Sequence, residues 1–258
     1  MTTPDPHLLS AVHELLSRRP VLLALDFDGV LAPLVDEPSA ARALPGTLRL
    51  LTELAGLDAV QVALVSGRAL ADLRSVAEVP AASPLLLVGS HGAEVEGAAI
   101  DLDPVAAERL ESLRSAFDAI AARHPGVHVE TKPAGVVLHT RRAARDAAAA
   151  ATQAAMTDAS RPRCHVTQGK EVVEVSVVET GKGVALERLR ASLGVRGVLY
   201  VGDDVTDENA FAVLGAGDVG IKVGDGDTVA AHRLPDPAAV QHLLRLALAD
   251  AGSTGLDR

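Results

Sequence analysis

The sequence predicts an α/β protein, a parallel sheet with helices on both faces, interrupted by a smaller α+β unit. Three observations carry this. Short runs such as residues 21–25 and 197–201 are apolar at every position, as strands buried on both faces are. These runs alternate with amphipathic helical stretches, the pattern of βα units. The alternation stops near Asp101 and resumes near Gly181. In between, the strands alternate in polarity (Val127, Val129, Thr131), which suits a one-sided antiparallel sheet. Residues 1–102 and 180–258 are therefore expected to form the core, and residues 103–179 the insert.

Taken in order, Leu8, Val12, Leu15 and Leu16 recur at helical spacing over 7–18. The first strand, 21–25, runs into Asp26-Phe27-Asp28-Gly29, where glycine lets the backbone leave sharply. A helix is expected over 45–55 with Pro45 at its start. A strand over 60–65 leads into Ser66-Gly67-Arg68, a helix over 69–76 follows, and a strand over 85–88 ends in GSHGAE. The insert reads as a helix over 104–123, strands over 127–132 and 135–140, an Ala-rich helix within 143–159, and strands over 163–168 and 172–177. Lys182 stands just before a helix over 184–193. The strand 197–201 then runs into GDDVTDE, and Phe211 lies on the next helix. Residues 219–223 read as the last strand, 240–249 as a closing helix and 251–258 as a frayed tail.

Composition bounds the function. Hydrophobic residues make up 48% and aromatics only 2%, so the core is built of Val, Leu, Ile and Ala. A net charge of −10 argues against a nucleic-acid partner, which wants a basic face. Cys164 is the only cysteine; it reads as a quiet buried thiol in a reducing compartment. The N-terminus lacks the basic start and apolar run of a signal peptide, and no apolar run approaches the roughly 18 residues of a membrane span. A cytoplasmic monomer without a membrane partner is expected.

In parallel sheets, ligands bind at the carboxyl ends of the strands. Asp26 and Asp28, Ser66, Lys182, and Asp203 with Asp204 and Asp207 fall at strand ends or helix starts. A period of two puts Asp26 and Asp28 on one side of an extended chain, where like charges demand a cation or a shared proton. Oxygen ligands favour a hard ion such as Mg²⁺. Together the groups suit phosphoryl transfer. Asp26 reads as the nucleophile and Asp28 as the general acid and base. The metal would be held by Asp26, the Asp28 carbonyl and Asp203, with Asp204 and Asp207 touching it or steering its waters. Ser66 Oγ and the helix start beyond it would donate to phosphoryl oxygens, and Lys182 would add positive charge. Plainer readings stand beside these: Ser66 as a helix N-cap, Lys182 as a solvated lysine, GDDVTDE as an acidic helix start.

The motifs DFDGV, SGR, the lone Lys182 and GDDVTDE occur in the order of the haloacid dehalogenase (HAD) superfamily. More narrowly, LDFDGVLAP, SGR, GSHGAE, VETKPAGVVLHTR, GKEVVEV, GDDVTDENAF and IKVGDGDT resemble the trehalose-phosphate phosphatases, from about residue 21 to 235. The resemblance implies a Rossmann-like HAD core, a mobile cap made by the insert, Mg²⁺ dependence, and hydrolysis of trehalose 6-phosphate. It also implies that Glu130, Lys132, His139, Arg141, Lys170 and Glu174 of the cap read the sugar. Arg68 and His91 of the core are expected as further substrate-binding groups; the loop of His91 and Glu94 could face the sugar or serve the structure alone. Strand spacing supports part of this. Glu130 and Lys132 share one face, His139 and Arg141 the face of the paired strand, and Lys170 and Glu174 are in phase. The cap would swing on linkers near residues 101–104 and 179–181. Val30 stands where the family often has Thr. A phosphatase for another sugar phosphate (sucrose phosphate or mannosylphosphoglycerate), a phosphomutase and a non-catalytic sensor are the alternatives.

Overall fold

The computed structural model describes residues 4–97, 102–159 and 163–253. The chain divides into two compact units, Met1–Glu96 with Gly181–Arg258, and Gly97–Thr180.

In the first unit the strands are β1 (Val21–Leu25), β2 (Val60–Val65), β3 (Leu86–Gly89), β4 (Glu94–Val95), β9 (Gly197–Gly202), β10 (Val219–Val223) and β11 (His232–Leu234). They form one sheet in the order β11-β10-β9-β1-β2-β3-β4, parallel except for β4. Every residue of β1 is buried because the strand lies mid-sheet with a helical layer on each face. Leu23 and Leu25 pack toward α1 (Pro6–Leu16), α2 (Thr47–Ala55) and α8 (Pro237–Ser253). Leu22 and Ala24 pack toward α6 (Lys182–Leu193) and α7 (Glu208–Ala212). Register positions the site: Leu25 stands opposite Leu64 on one side and Val201 on the other. The carboxyl ends of β1, β2 and β9 therefore finish level.

Several boundaries differ from the sequence reading. α2 starts at Thr47, because Gly46 before it takes φ 85°, a left-handed conformation that leaves Pro45 outside the helix. Lys182 is the first residue of α6 rather than the residue before it. β10 is not the last strand; β11, three residues long, pairs with it in parallel and is too short for its polarity to show. α8 extends to Ser253, so the first residues of the expected tail are helical, while 254–258 lie outside the described residues. α3 (Leu70–Val76) begins four residues beyond Ser66 with Ala69 at its N-cap, so Ser66 is not a helix cap. Asp101, within the first expected linker, also lies outside the described residues.

The second unit holds α4 (Pro104–Arg123), β5 (His128–Lys132), β6 (Gly135–His139), α5 (Arg145–Ala159), β7 (His165–Gly169) and β8 (Val172–Ser176). Its four strands form an antiparallel sheet in the order β5-β6-β8-β7. Leu110, Leu113, Phe117 and Ile120 of α4 cover Val136, Leu138, Val173 and Val175. Ala151, Ala155 and Ala159 sit one turn apart on α5 and give it a small-residue face against that core. Cys164 is half-buried at the same core's edge. Among the described residues, no helix is long and apolar enough to cross a membrane.

Candidate active site

The site grows from the end of β1. Asp26 N donates to the Val201 carbonyl at 2.9 Å, which ties the residue to β9 after its own strand has ended. The chain then turns at Gly29, φ 72°. A Cβ there would lie 2.0 Å from Asp203 Oδ2, so glycine leaves room for the Asp203 carboxylate against this turn. Val30 is fully buried, and an apolar side chain suits that place.

Asp26 is 5% exposed and Lys182 is 1% exposed. Lys182 Nζ donates to Asp26 Oδ2 at 2.5 Å and to Asp207 Oδ1 at 2.8 Å. Lys182 is thus a buried ion-pair partner, not a solvated lysine. Asp207 is 0% exposed and saturated. Its Oδ1 accepts from Lys182 and from the Tyr200 hydroxyl, 2.6 Å away. Its Oδ2 accepts from the backbone N–H groups of Asp203 and Asp204. A Cβ at Gly202 would lie 2.2 Å from the Asp207 carboxyl carbon, so this packing also needs a glycine.

Oxygens of Asp26, Asp203 and Asp207 lie within 4.8 Å of one another. Among the described residues no hydrogen bond to the Asp203 carboxylate is seen, so that group has open lone pairs. Asp204 is turned away: its Oδ1 accepts from the Thr206 N–H and hydroxyl, and its closest approach to Lys182 is 3.8 Å. It shapes the loop and stands outside the converging three. Asp28 is outside them too. Arg68 grips its carboxylate with Nε at 2.6 Å and Nη2 at 2.8 Å, while also donating to Asp72 and the Pro38 carbonyl. Arg68, expected to bind substrate, therefore spends its donors on Asp28 and its surroundings. Asp26 and Asp28 each have a cationic partner of their own, Lys182 and Arg68.

The charge in this site is unbalanced. Burial pushes the Asp26 carboxyl up to about 8, with the Asp207 charge adding to it, although Lys182 pulls the other way. Burial and the charges of Asp207 and Asp204 raise Asp203 to about 6. Burial would also raise Asp204, but Lys182 and the Thr206 bonds hold it below the usual carboxylate value. Burial would lower Lys182, yet Asp26, Asp207 and Asp204 keep it above the usual lysine value. Burial and Asp207 raise Tyr200, which stays a neutral donor. With all four ionised, Asp26, Asp203, Asp204 and Asp207 would set four negative charges against the two positive charges of Lys182 and Lys222, and the raised Asp26 and Asp203 report that excess. An all-oxygen donor set with that deficit fits a hard divalent cation.

Ser66 is buried at the end of β2, its Oγ accepting from Arg68 N at 3.2 Å. The His91 ring packs on Gly67, where a Cβ would lie 2.5 Å from it. Ser90 and His91 take φ near +50° (49° and 51°), and the His91 carbonyl accepts from Gly181 N at 2.7 Å. The GSHGAE loop thus fixes the residue before Lys182.

In the insert, pairing puts Glu130, Lys132, His139 and Glu174 on the sheet face opposite the helices. Lys132 Nζ donates to Glu174 Oε1 at 3.0 Å, and His139 Nε2 lies 2.8 Å from Glu130 Oε2. Arg141 lies in the turn after β6 and Lys170 in the β7–β8 turn, both exposed and neither on a strand.

Two site residues escaped the sequence reading. Tyr200 is the only tyrosine, and a phenol inside an apolar strand needs a partner. Lys222 is a lysine within VGIKV, a run otherwise fit for a buried strand. In both, a polar atom in an apolar run was the available signal.

Residues 24–233 match the family model described as trehalose-phosphatase. This chain belongs to the trehalose-phosphatase family. It is 36% identical over 246 residues to a trehalose-phosphate phosphatase of Mycobacterium tuberculosis, covering 88% of this chain and 60% of that protein. The chain thus spans less than two thirds of the length of that curated relative. The structure of Aspergillus fumigatus trehalose-6-phosphate phosphatase aligns with a TM-score of 0.68 and 27% identity, covering 96% of this chain and 99% of that one. A haloacid dehalogenase-like hydrolase from B. subtilis shares the fold, with a TM-score of 0.57 at 18% identity over 87% of this chain and 98% of its own.

Proposed function

We propose that this member of the family is a Mg²⁺-dependent phosphatase that hydrolyses trehalose 6-phosphate through an aspartyl-phosphate on Asp26. The observation that carries the reading is the buried Asp26 carboxylate, held by Lys182 and converging with Asp203 and Asp207. Asp26 and Asp203, with the Asp28 carbonyl, would hold the ion, and Asp207 would support them by fixing the loop and Lys182. Bound Mg²⁺ would offset the negative charge that a phosphate brings toward the attacking carboxylate.

The chain's own groups then do the following. Asp26 attacks phosphorus, and Asp28, protonated once its carboxyl leaves Arg68, gives that proton to the departing sugar oxygen. Asp28 next takes a proton from a water that attacks the same phosphorus, which releases phosphate and restores Asp26. Lys182 and Ser66 donate to phosphoryl oxygens. Glu130, Lys132, His139 and Glu174, with Arg141, Lys170 and the core's His91, select the sugar by exchanging contacts for hydroxyl groups. A wrong sugar leaves some of these polar groups without the hydroxyl they would exchange for. The single cysteine supports work in a reducing compartment, the cytoplasm.

The test is phosphate release from a panel of sugar phosphates with and without Mg²⁺. Release from trehalose 6-phosphate well above the rest, and only with a divalent ion, is expected. Equal rates across the panel would remove the trehalose assignment. Preference for sucrose phosphate would move the chain to the rival phosphatase, and an isomer in place of free phosphate would make it a mutase.

A further inference from the structure

Lys222 is the fourth of the five residues of β10 and is 5% exposed. Register places it opposite Gly202, the residue that leads into Asp203. Its Nζ donates to the Asp203 main-chain carbonyl. Among the described residues it makes no ion pair with a carboxylate within 4.0 Å, unlike Lys182. Burying an ammonium group is costly unless something nearby answers the charge. An apolar residue would fill a five-residue strand whose other members are all buried at less cost. The lysine is therefore explained by what it faces: the loop that carries Asp203, inside a cluster richer in carboxylates than in cations.

Resting on the reading of Asp203 as a ligand of the cation, we propose that Lys222 is a positioning residue. It clamps the Asp203 main chain, and that clamp aims the Asp203 carboxylate at the ion.

Two anchors hold this loop. Asp207 Oδ2 accepts from the N–H groups of Asp203 and Asp204, and Lys222 donates to the Asp203 carbonyl. One therefore fixes the N–H side of Asp203 and the other its C=O side. The peptide planes on both sides of its Cα are restrained, which limits where the carboxylate can point. Its lone pairs stay open because both anchors act on backbone. Groups that orient a metal ligand in this way typically change metal affinity about 10- to 100-fold when removed.

The experiment is a calorimetric Mg²⁺ titration of metal-stripped protein, unmodified and Lys222→Met, with folding checked by circular dichroism in chelator. We expect Lys222→Met to bind Mg²⁺ about 10-fold or more weakly. The half-saturating Mg²⁺ for turnover should rise by the same factor. At saturating Mg²⁺, kcat should return to within about threefold and KM for the sugar phosphate should be unmoved. A merely structural lysine would give a loss of kcat that Mg²⁺ does not restore, and that outcome overturns the proposal. So does Mg²⁺ affinity within about twofold of the unmodified protein. If Lys222→Met does not fold, Lys222→Arg and Lys222→Gln decide. The arginine should keep the affinity and the glutamine should lose it; equal affinities overturn the clamp. If the unmodified protein shows no divalent requirement at all, the proposed function fails instead, and the two failures are told apart by that first titration.

Discussion

The two units treat polar side chains in opposite ways. In the core the proposed nucleophile and its partners are buried and locked: Asp26, Lys182 and Asp207 lie at 5%, 1% and 0% exposure, with Asp207 bonded through both oxygens. On the insert's sheet, the His139–Glu130 pair is 42% exposed on both sides, and Arg141 and Lys170 project from turns. Chemistry needs groups fixed to a fraction of an ångström, which burial and an over-bonded carboxylate provide. Recognition of a sugar with many hydroxyls needs groups that can trade one partner for another, which half-exposed pairs provide.

The largest effect expected from this contrast is at Asp26. Asp26→Asn should lower kcat by about 10⁴-fold or more while leaving a measurable Kd for the sugar phosphate. Stopped-flow or quench-flow turnover beside a binding titration checks it, and surviving turnover would remove Asp26 as nucleophile. Next comes the insert. Glu130→Gln should raise KM for trehalose 6-phosphate about 10-fold with kcat within a few-fold, because a half-exposed partner acts on binding rather than on the reacting bond. A kcat loss without a change in KM would place the residue in the chemistry and blur the division.

The charge excess in the core predicts a pH effect. The folded Asp26 carboxyl holds its proton up to about 8 against 3.8 for an unperturbed group, and Asp203 up to about 6. Between those values the folded metal-free protein binds more protons than the unfolded chain. Its stability is therefore greatest at the acid end and falls as pH rises from about 4 to about 8; Asp204, lowered, opposes this below its usual value. Melting temperatures across that range should decline in chelator and decline less with Mg²⁺. Identical slopes would mean that the ion does not answer the excess charge. The smallest effect is expected at Tyr200. Tyr200→Phe keeps the packing and removes one bond to Asp207, a loss of about 1 kcal/mol in stability, read from denaturant midpoints. Lys182 still holds that oxygen, so kcat should fall only a few-fold.

The same contrast explains what could be read from the sequence. The parallel core was legible because a doubly buried strand such as β1 has no polar residue until it ends, and its end is where Asp26 stands. Ser66 and Asp203 were legible in a similar way, just past β2 and β9, whose apolar runs are broken only by Gln61 and the Tyr200 hydroxyl. The division of labour among the carboxylates was not. Nothing in GDDVTDE tells that Asp207 is saturated, that Asp204 folds back on Thr206, and that Asp203 keeps its lone pairs. Those roles come from which N–H groups the loop brings within reach. The partnering of Asp28 with Arg68 is a contact across 40 residues, set by strand register rather than local pattern. In the insert, alternation gave the face of Glu130, Lys132 and Glu174. It failed for Arg141 and Lys170, because the strands stop short of them.

The central claim is that a divalent ion closes the charge deficit beside the attacking carboxylate. Diffraction from crystals soaked in Mn²⁺, a Mg²⁺ stand-in with an anomalous signal, tests it most directly. The account predicts one strong peak bound by the carboxylates of Asp26 and Asp203, with Lys182 still on Asp26. A fully occupied peak elsewhere, or none between those two residues at saturating Mn²⁺, would contradict it.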